Sequence, residues 1–323
     1  MKRREFIALV GGAAAWPGAA RAQNRAGKIP RVGFLYGGVS DALGVRVNPF
    51  VQGMGGRQQL EVEVISRVAE GDPSRLPALA KDLVDQKIDA LFATGPAAVR
   101  AAQGVTRTVP VVGLDLETDP VESGLVGSLA HSGGNLTGIF FDFPEFSTKW
   151  MQLLREIAPK LSRLAVLWDP STGPLQLRAA QRVADSMGFI LRVIEVSAPS
   201  ELEEVFSVVR REKLEGLLLL SSPIFGSNAA PSASLTLNYR LPAISMFPEF
   251  AQAGGLIAYG PNISDLYRQS GGMMAKVLQG TPPGDIPIER PVRMQLVVNL
   301  KTARVIGVDV PPGLLTRADE VIE

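Results

Sequence analysis

Two stretches of this chain are built alike. Residues 87–96 read KIDALFATGP and residues 213–223 read KLEGLLLLSSP, about 126 residues further on. Each runs from a lysine through an acid and a short apolar burst to small polar residues and a proline. A short apolar run is what a strand buried on both faces requires, and proline suits the first position of a following helix. Each stretch therefore predicts a helix end, a core strand, and a loop that opens the next helix. The repetition predicts two similar α/β lobes whose loops end at one shared cleft.

The rest of the chain has the alternation such lobes need. RVGFLYGG (31–38), LEVEVISRV (60–68), IDALFA and VPVVGL (109–114) read as strands of a first unit. Asp72 or Ser74 caps a helix carrying Leu76, Leu79, Ala80, Leu83 and Val84 on one face, and PAAVRAAQ is a shorter helix. SRLAVLWDP (162–170), FILRVIEV, EGLLLLSS and LPAISMF (241–247) are strands of a second unit. Between them lie a helix stopped by Gly188 and another opened by a Ser200–Glu203 capping box. GGNLTGIFFDFP (133–144) falls where the units meet, and a helix after Asn262 is expected to be capped by Ser264. PPGDIPIERP has no periodic pattern and reads as a connection. Strand–helix alternation with short links predicts two doubly wound, Rossmann-like sheets. One lobe takes residues 30–140 and the other 145–255, each with part of 257–323.

At 323 residues, two lobes are also what chain length leads one to expect. Apolar residues form 46 % of the chain and charged ones 20 %, enough for large cores, and a net charge of +1 calls for neither nucleic acid nor a membrane surface as partner. The first 22 residues read as an export leader: MKRREF is basic, IALVGGAAAWPGAA is weakly apolar, and Ala20-Arg21-Ala22 is a cleavage signal. Arg3-Arg4 resembles a twin-arginine signal, which a receptor reads. The apolar stretch is too short to span a bilayer, so the mature chain, slightly acidic once the leader leaves, is expected in the periplasm. The chain has no cysteine, which excludes disulfides, thiolate catalysis and Cys-zinc sites, and its lone histidine, His131, cannot build a zinc centre. No cofactor or metal is expected.

In open α/β sheets ligands bind beyond the carboxyl ends of the strands, and those ends supply the candidate site. Thr94, Gly95, Pro96 and Ala97 combine a hydroxyl with a helix N-terminus, which favours an anion such as a carboxylate. Ser221 and Ser222 offer hydroxyls from the mirror loop. Asp169 suits an ammonium group, or an N-cap. Tyr36, Phe247 and Tyr259 stand at strand ends where an aromatic ring packs a ligand or closes the core; Gly38 and Ser40 follow the first strand. Asp115 is a further candidate, and its pairing with Glu117 fits a glycosidase or, equally, surface acids around a turn. No nucleotide-binding loop, nucleophile elbow or metalloprotease motif is present.

RLPALAKDLVDQKIDALFATGPAA, DPVESGLVGSLAHSGGNLTG, RLAVLWDP, LPAISMFPEFAQAGGLIAYGPNISDLYRQ and VVNLKTARVIGVDVPPGLLTRADEVIE together resemble the tryptophan/tyrosine-type substrate-binding proteins of ABC transporters. The resemblance implies a type I periplasmic-binding-protein fold, with three crossing segments and a hinge closing on a small solute, and an ABC permease as partner. Two departures touch the cleft: a short, glycine-rich VQGMGGRQQ, and Asp169 where asparagine is common. Two other readings share the fold. A two-lobed exported enzyme acting on a small polar substrate would turn its ligand over. The sensing half of a repressor-like regulator would keep its leader and stay in the cytoplasm.

Overall fold

The computed structural model describes residues 29–55, 61–141, 143–291 and 293–323; the leader expected over residues 1–22 lies outside them. The chain forms two sheets. The first contains β1 (Arg31–Tyr36), β2 (Glu63–Val68), β3 (Ala90–Thr94), β4 (Val111–Asp115) and β5 (Leu136–Phe140), in the order β2-β1-β3-β4-β5, all parallel. Strands β3, β4 and β5 are buried along their whole length, because helices cover both faces of a parallel sheet. Those helices include α1 (Gly44–Gly55), α2 (Leu76–Asp85) and α3 (Pro96–Val105).

The second unit repeats the scheme. It contains α4 (Phe143–Ile157), β6 (Arg163–Trp168), α5 (Leu175–Met187), β7 (Ile190–Glu195), α6 (Leu202–Arg211), β8 (Gly216–Leu219), α7 (Pro223–Ser227), α8 (Ala229–Asn238), β9 (Ala243–Ser245), α9 (Pro248–Gln252) and β10 (Ile257–Pro261). The chain then returns to the first unit as α10 (Ile263–Leu278), which packs along α1, and comes back once more as β11 (Met294–Asn299), α11 (Leu300–Ile306), α12 (Pro312–Leu315) and β12 (Glu320–Ile322). The second sheet runs β12-β11-β10-β9-β8-β6-β7, with only the β10–β11 pair antiparallel. Three crossings result, after β5, at Asn262, and before β11, the two-lobed type I arrangement that the resemblance implies.

The repeated stretches do the same mechanical work in each lobe. Lys87 and Lys213 both adopt left-handed backbone, φ 58° and 52°, and turn the chain out of α2 and α6. Their amides bond back to the carbonyls of Val84 and Arg210, at 2.9 and 3.2 Å. The following acid then clamps the start of the neighbouring strand. Asp89 accepts the amide of Arg31 at 2.9 Å, and Glu215 accepts those of Ser162 and Arg163 at 2.7 and 3.1 Å. Pro96 and Pro223 each open the next helix.

Several local expectations need correction. The Ser200–Glu203 box does not form; Glu201 instead accepts the amide of Ser197 at 2.8 Å. Asn262, not Ser264, caps α10, accepting the amide of Asp265 at 3.0 Å. PPGDIPIERP is not a bare connection, since Glu289 pairs in parallel with Ile139 at the edge of the first sheet. The segment leading into the glycine-rich run, to which the sequence assigned no element, is helical up to Gly55 in α1 despite an internal Pro49.

Packing explains that override of propensity. A Cβ at Gly53 would overlap the carbonyl oxygen of Arg268 on α10, and one at Gly271 would overlap that of Phe50 on α1. The glycines let the two helices touch backbone to backbone over a cluster of Phe34, Phe50, Phe92 and Tyr267. Replacing Gly271 with alanine forces α10 away from α1; we expect a loss of about 1–3 kcal/mol in urea unfolding, the usual cost of overpacking. Gly272→Ala, with open space at its Cβ, is the matched control expected to be near neutral.

Candidate functional site

The loops that close the two repeats meet. A Cβ on Gly95 would stand 3.5 Å from Cγ of Pro223, in ordinary contact, and Gly95 itself takes a φ of +89° that favours glycine. Around this meeting lies a cavity of about 140 Å³. The first lobe lines it with Gly37, Gly38, Val39, Glu70, Leu76 and Thr94 through Ala98; the second with Asp169, Ser171, Pro199, Pro223, Ile224, Ser227 and Asn228. A smaller chamber of about 50 Å³ adjoins it through Thr94, Gly95 and Pro223 and is lined by Tyr36, Arg46, Glu117, Phe247 and Tyr267. A third opening of about 220 Å³ follows from Glu117 to Arg100 and Thr172.

On the first side, Gly95 donates to the Leu114 carbonyl at 2.8 Å, and Pro96 opens α3. The first-turn amides of Ala97 and Ala98 have no carbonyl one turn earlier, so they and the helix dipole favour negative charge in the cavity. Thr94 Oγ1 lies 3.1 Å from the Tyr267 hydroxyl, brought in by α10. Burial pushes the Tyr267 phenol up to about 12, so it keeps its proton and remains a donor.

On the second side, Asp169 is almost wholly buried. Its Oδ1 accepts the Ser171 amide at 2.8 Å and its Oδ2 the Ser222 hydroxyl at 2.6 Å. A carboxylate has about four acceptor positions, so capacity remains for an ammonium group. Asp169 thus is a cap and a cavity wall at once. Ser222 is also the N-cap of α7, accepting the Ile224 amide at 3.0 Å. Ser221 is held by Gln176, which donates to its carbonyl at 2.7 Å and accepts its amide at 2.8 Å. Its hydroxyl donates across the gap to Glu117.

Glu117 follows β4, and with Asp115 it forms a buried acid pair. Asp115 Oδ1 accepts the amides of Glu117 and Thr118 at 2.9 and 3.0 Å. Burial raises Asp115 to about 6, against those amide bonds; burial, then the charge of Asp115, raises Glu117 to about 8. They are not the surface acids of the sequence reading. Further bonds close the lobes: Tyr36 Oη to Ser227 Oγ at 3.3 Å, and Arg100 Nη2 donating to the Ser171 carbonyl at 2.9 Å.

The structure therefore brings Gly38, Thr94, Gly95, Pro96, Ala97 and Asp169 to the main cavity, and Tyr36 and Phe247 to the smaller chamber. Ser221 and Ser222 stand behind the wall as hydrogen-bonding support. Ser40 is exposed in a short turn, its amide donating to Glu70 at 3.2 Å, outside the cavity. Tyr259 stacks on Phe146, ring centroids 5.4 Å apart, in the second lobe's core. Asp115 lines neither chamber and acts on Glu117. Sequence reasoning missed Arg46, Gln176, Ser227 and Tyr267, which come from helices and not from strand ends. A polar residue on a core-facing helical stripe was their only signal. Among the described residues no group of three or more His, Cys, Asp or Glu is placed to hold a metal, and no helix is long and apolar enough to cross a membrane.

Comparison with known proteins identifies the family and the fold. The family model described as ABC transporter substrate binding protein matches residues 41–322. A tyrosine-binding protein of Clostridioides difficile (strain R20291) is 24 % identical over 238 residues, covering 73 % of this chain and 68 % of its own. The structure of an ABC domain in complex with L-Trp from Streptococcus pneumoniae superposes with a TM-score of 0.83 at 22 % identity, covering 91 % of this chain and 100 % of that one. A ligand-free, open substrate-binding protein with adhesive properties from Clostridium difficile gives 0.63 at 21 % identity, covering 91 % of this chain and 99 % of that one.

The buried acid pair makes the stability of the fold pH-dependent. Between the ordinary carboxylate range and about pH 8 the folded protein holds protons that the unfolded chain has released, so stability falls as pH rises. The melting temperature is expected to drop between about pH 4 and 8 and to level off above that. Glu117→Gln, which cannot titrate and still accepts from Ser221, is expected to flatten the upper part of that drop. An unchanged profile in differential scanning calorimetry would sink this account.

Proposed function

The chain belongs to the ABC transporter substrate-binding protein family, and from that premise we propose that it captures an amino acid, or a related small carboxylate-bearing amine, between its lobes and hands it to a membrane permease. The observation that carries this reading is one enclosed cavity walled by both repeat loops, with the buried Asp169 carboxylate on one side and the N-terminus of α3 on the other. The opposed signs fit a zwitterion: the ammonium goes to Asp169, and the carboxylate to the side of Thr94 and α3. The remaining wall, with Val39, Pro73, Leu76, Pro199 and Ile224, is apolar and suits a large aliphatic or aromatic side chain. A cavity of about 140 Å³ is on the scale of one of about 150 Å³ that takes benzene, and relatives named for tyrosine and complexed with L-Trp support the aromatic end of that range.

The same reading places the protein outside the cytoplasm, with the leader removed near Ala22, and assigns the closed surface of the lobes to the permease after hinge closure. It also holds that the solute leaves unchanged. Ser221 is committed to Glu117, a carboxyl that burial keeps protonated, so no base faces that hydroxyl. We read this group as a closure contact, not as catalytic machinery.

Calorimetry and thermal shift against L-tyrosine, L-tryptophan, L-leucine and a sugar control test the proposal. An amino acid at 100 times its Kd is expected to stabilise the protein by about 2.7 kcal/mol and to be recovered chemically intact. Asp169→Asn keeps the Ser171 bond and removes the charge; it is expected to weaken the amino acid at least about tenfold, 1.4 kcal/mol, while leaving its deaminated analogue little changed. A shift with the sugar and none with any amino acid would overturn it.

A further inference from the structure

The smaller chamber behind Thr94 contains a buried positive charge that is paired with no carboxylate among the described residues. Arg46, Phe50 and Met54 stand one helical turn apart on the buried face of α1, so a guanidinium occupies a position where the fold otherwise places apolar side chains. Arg46 is 9 % exposed. Its Nη1 donates to the Ala42 carbonyl at 2.8 Å, and its Cζ lies 5.0 Å over the ring of Tyr36. None of the ion pairs among the described residues includes it. The one carboxyl lining the same chamber among the described residues is Glu117, which is bonded to Ser221 and raised to about 8 by burial, hence neutral at ordinary pH. The other titratable groups there, Tyr36 and Tyr267, are phenols, and that of Tyr267 is pushed up to about 12.

Burying a charge without a counter-charge is costly, and of a guanidinium's five donors the Ala42 carbonyl takes one and the Tyr267 hydroxyl accepts from another. We propose that this chamber is the anion seat of the cleft: the carboxylate of the solute passes Thr94 and is gripped by Arg46, with Tyr267 and Thr94 as hydroxyl donors, while the rest of the solute fills the larger cavity beside Asp169. The inference rests on the binding function proposed above and deepens it, moving the carboxylate from the start of α3 into the chamber. The fit is physical in two ways. The chamber's lining gathers the guanidinium of Arg46 and the hydroxyls of Thr94 and Tyr267 around one space, a set of donors suited to a carboxylate. A planar guanidinium matches a carboxylate with two parallel bonds. The cargo is therefore a free acid; its amides, esters and decarboxylated amines are poor ligands.

Acetate serves as the carboxylate probe, titrated against chloride at matched ionic strength in thermal shift on the whole protein. Acetate is expected to raise the melting temperature of the unaltered protein and not of Arg46→Gln; Arg46→Lys retains part of the response. Equal shifts in unaltered protein and Arg46→Gln, or none in either, would overturn the seat. Unliganded Arg46→Gln is expected to melt at or above the unaltered protein, since an uncompensated charge has gone; a large drop would instead assign Arg46 to packing. Calorimetry then compares L-tyrosine, L-tyrosinamide and tyramine: the free acid is expected to bind at least about tenfold more tightly in the unaltered protein, a preference Arg46→Gln loses. Acetate binding without any amino acid binding would overturn the amino-acid reading and keep the seat. Amino-acid binding unchanged in Arg46→Gln would do the reverse.

Discussion

The contact between Gly95 and Pro223 is where the rest of the structure converges. Each residue belongs to a loop leaving the carboxyl end of a buried parallel strand, and each loop opens a helix with proline. Only a residue without a side chain can hold the left-handed turn at position 95 while the opposite loop comes into contact. That closeness turns two open sheet ends into one enclosed space, with the polar groups of both lobes facing inward. Gly38 acts in the same sense on the flank, since a Cβ there would collide with the Tyr36 hydroxyl and Ser227.

The helices behind the cleft decide what enters it. The backbone contact of α1 and α10 through Gly53 and Gly271 sets the depth of both helices over the first sheet. With that depth fixed, α1 carries Arg46 and α10 carries Tyr267 to the chamber beside Thr94. Because β10 lies in the second sheet and α10 on the first lobe, the Asn262 crossing ties this chamber directly to the hinge. The proposed ligand contacts and the hinge thus lie on neighbouring residues.

Buried polarity in the cleft is resolved in three different ways. Asp169 is satisfied by an amide and a hydroxyl of its own lobe and keeps acceptor capacity. Glu117 is neutralised by a proton and spends its bonding on Ser221 across the gap. Arg46 bonds the Ala42 carbonyl and lies over the Tyr36 ring, but no carboxylate among the described residues pairs with it. Burying a charge in this way is costly, and the proposed anion seat would offset that cost from outside. The dipolar solute proposed for the cleft rests on this arrangement of charges.

How much of this was legible follows from range. Local rules were enough for the buried strands, for Pro96 and Pro223 as helix starts, for Gly188 as a helix stop, and for the duplication itself, because each depends on residues within a few positions of one another. They were also enough to put Thr94 to Ala97 and Asp169 at strand ends. They failed at α1, whose glycines and internal proline argue against a helix, because the energy that makes it helical comes from α10, more than two hundred residues away. They failed for Ser40 and Tyr259, since standing near a strand end does not set which way a side chain leaves it. Nor do they show that Asp115 and Glu117 are buried, or that Arg46 has no counter-charge. Sequence by itself determined two matched lobes with a polar seam; tertiary structure alone decided which charges on that seam remain uncompensated, because desolvation is set by neighbours that the chain brings together from opposite ends.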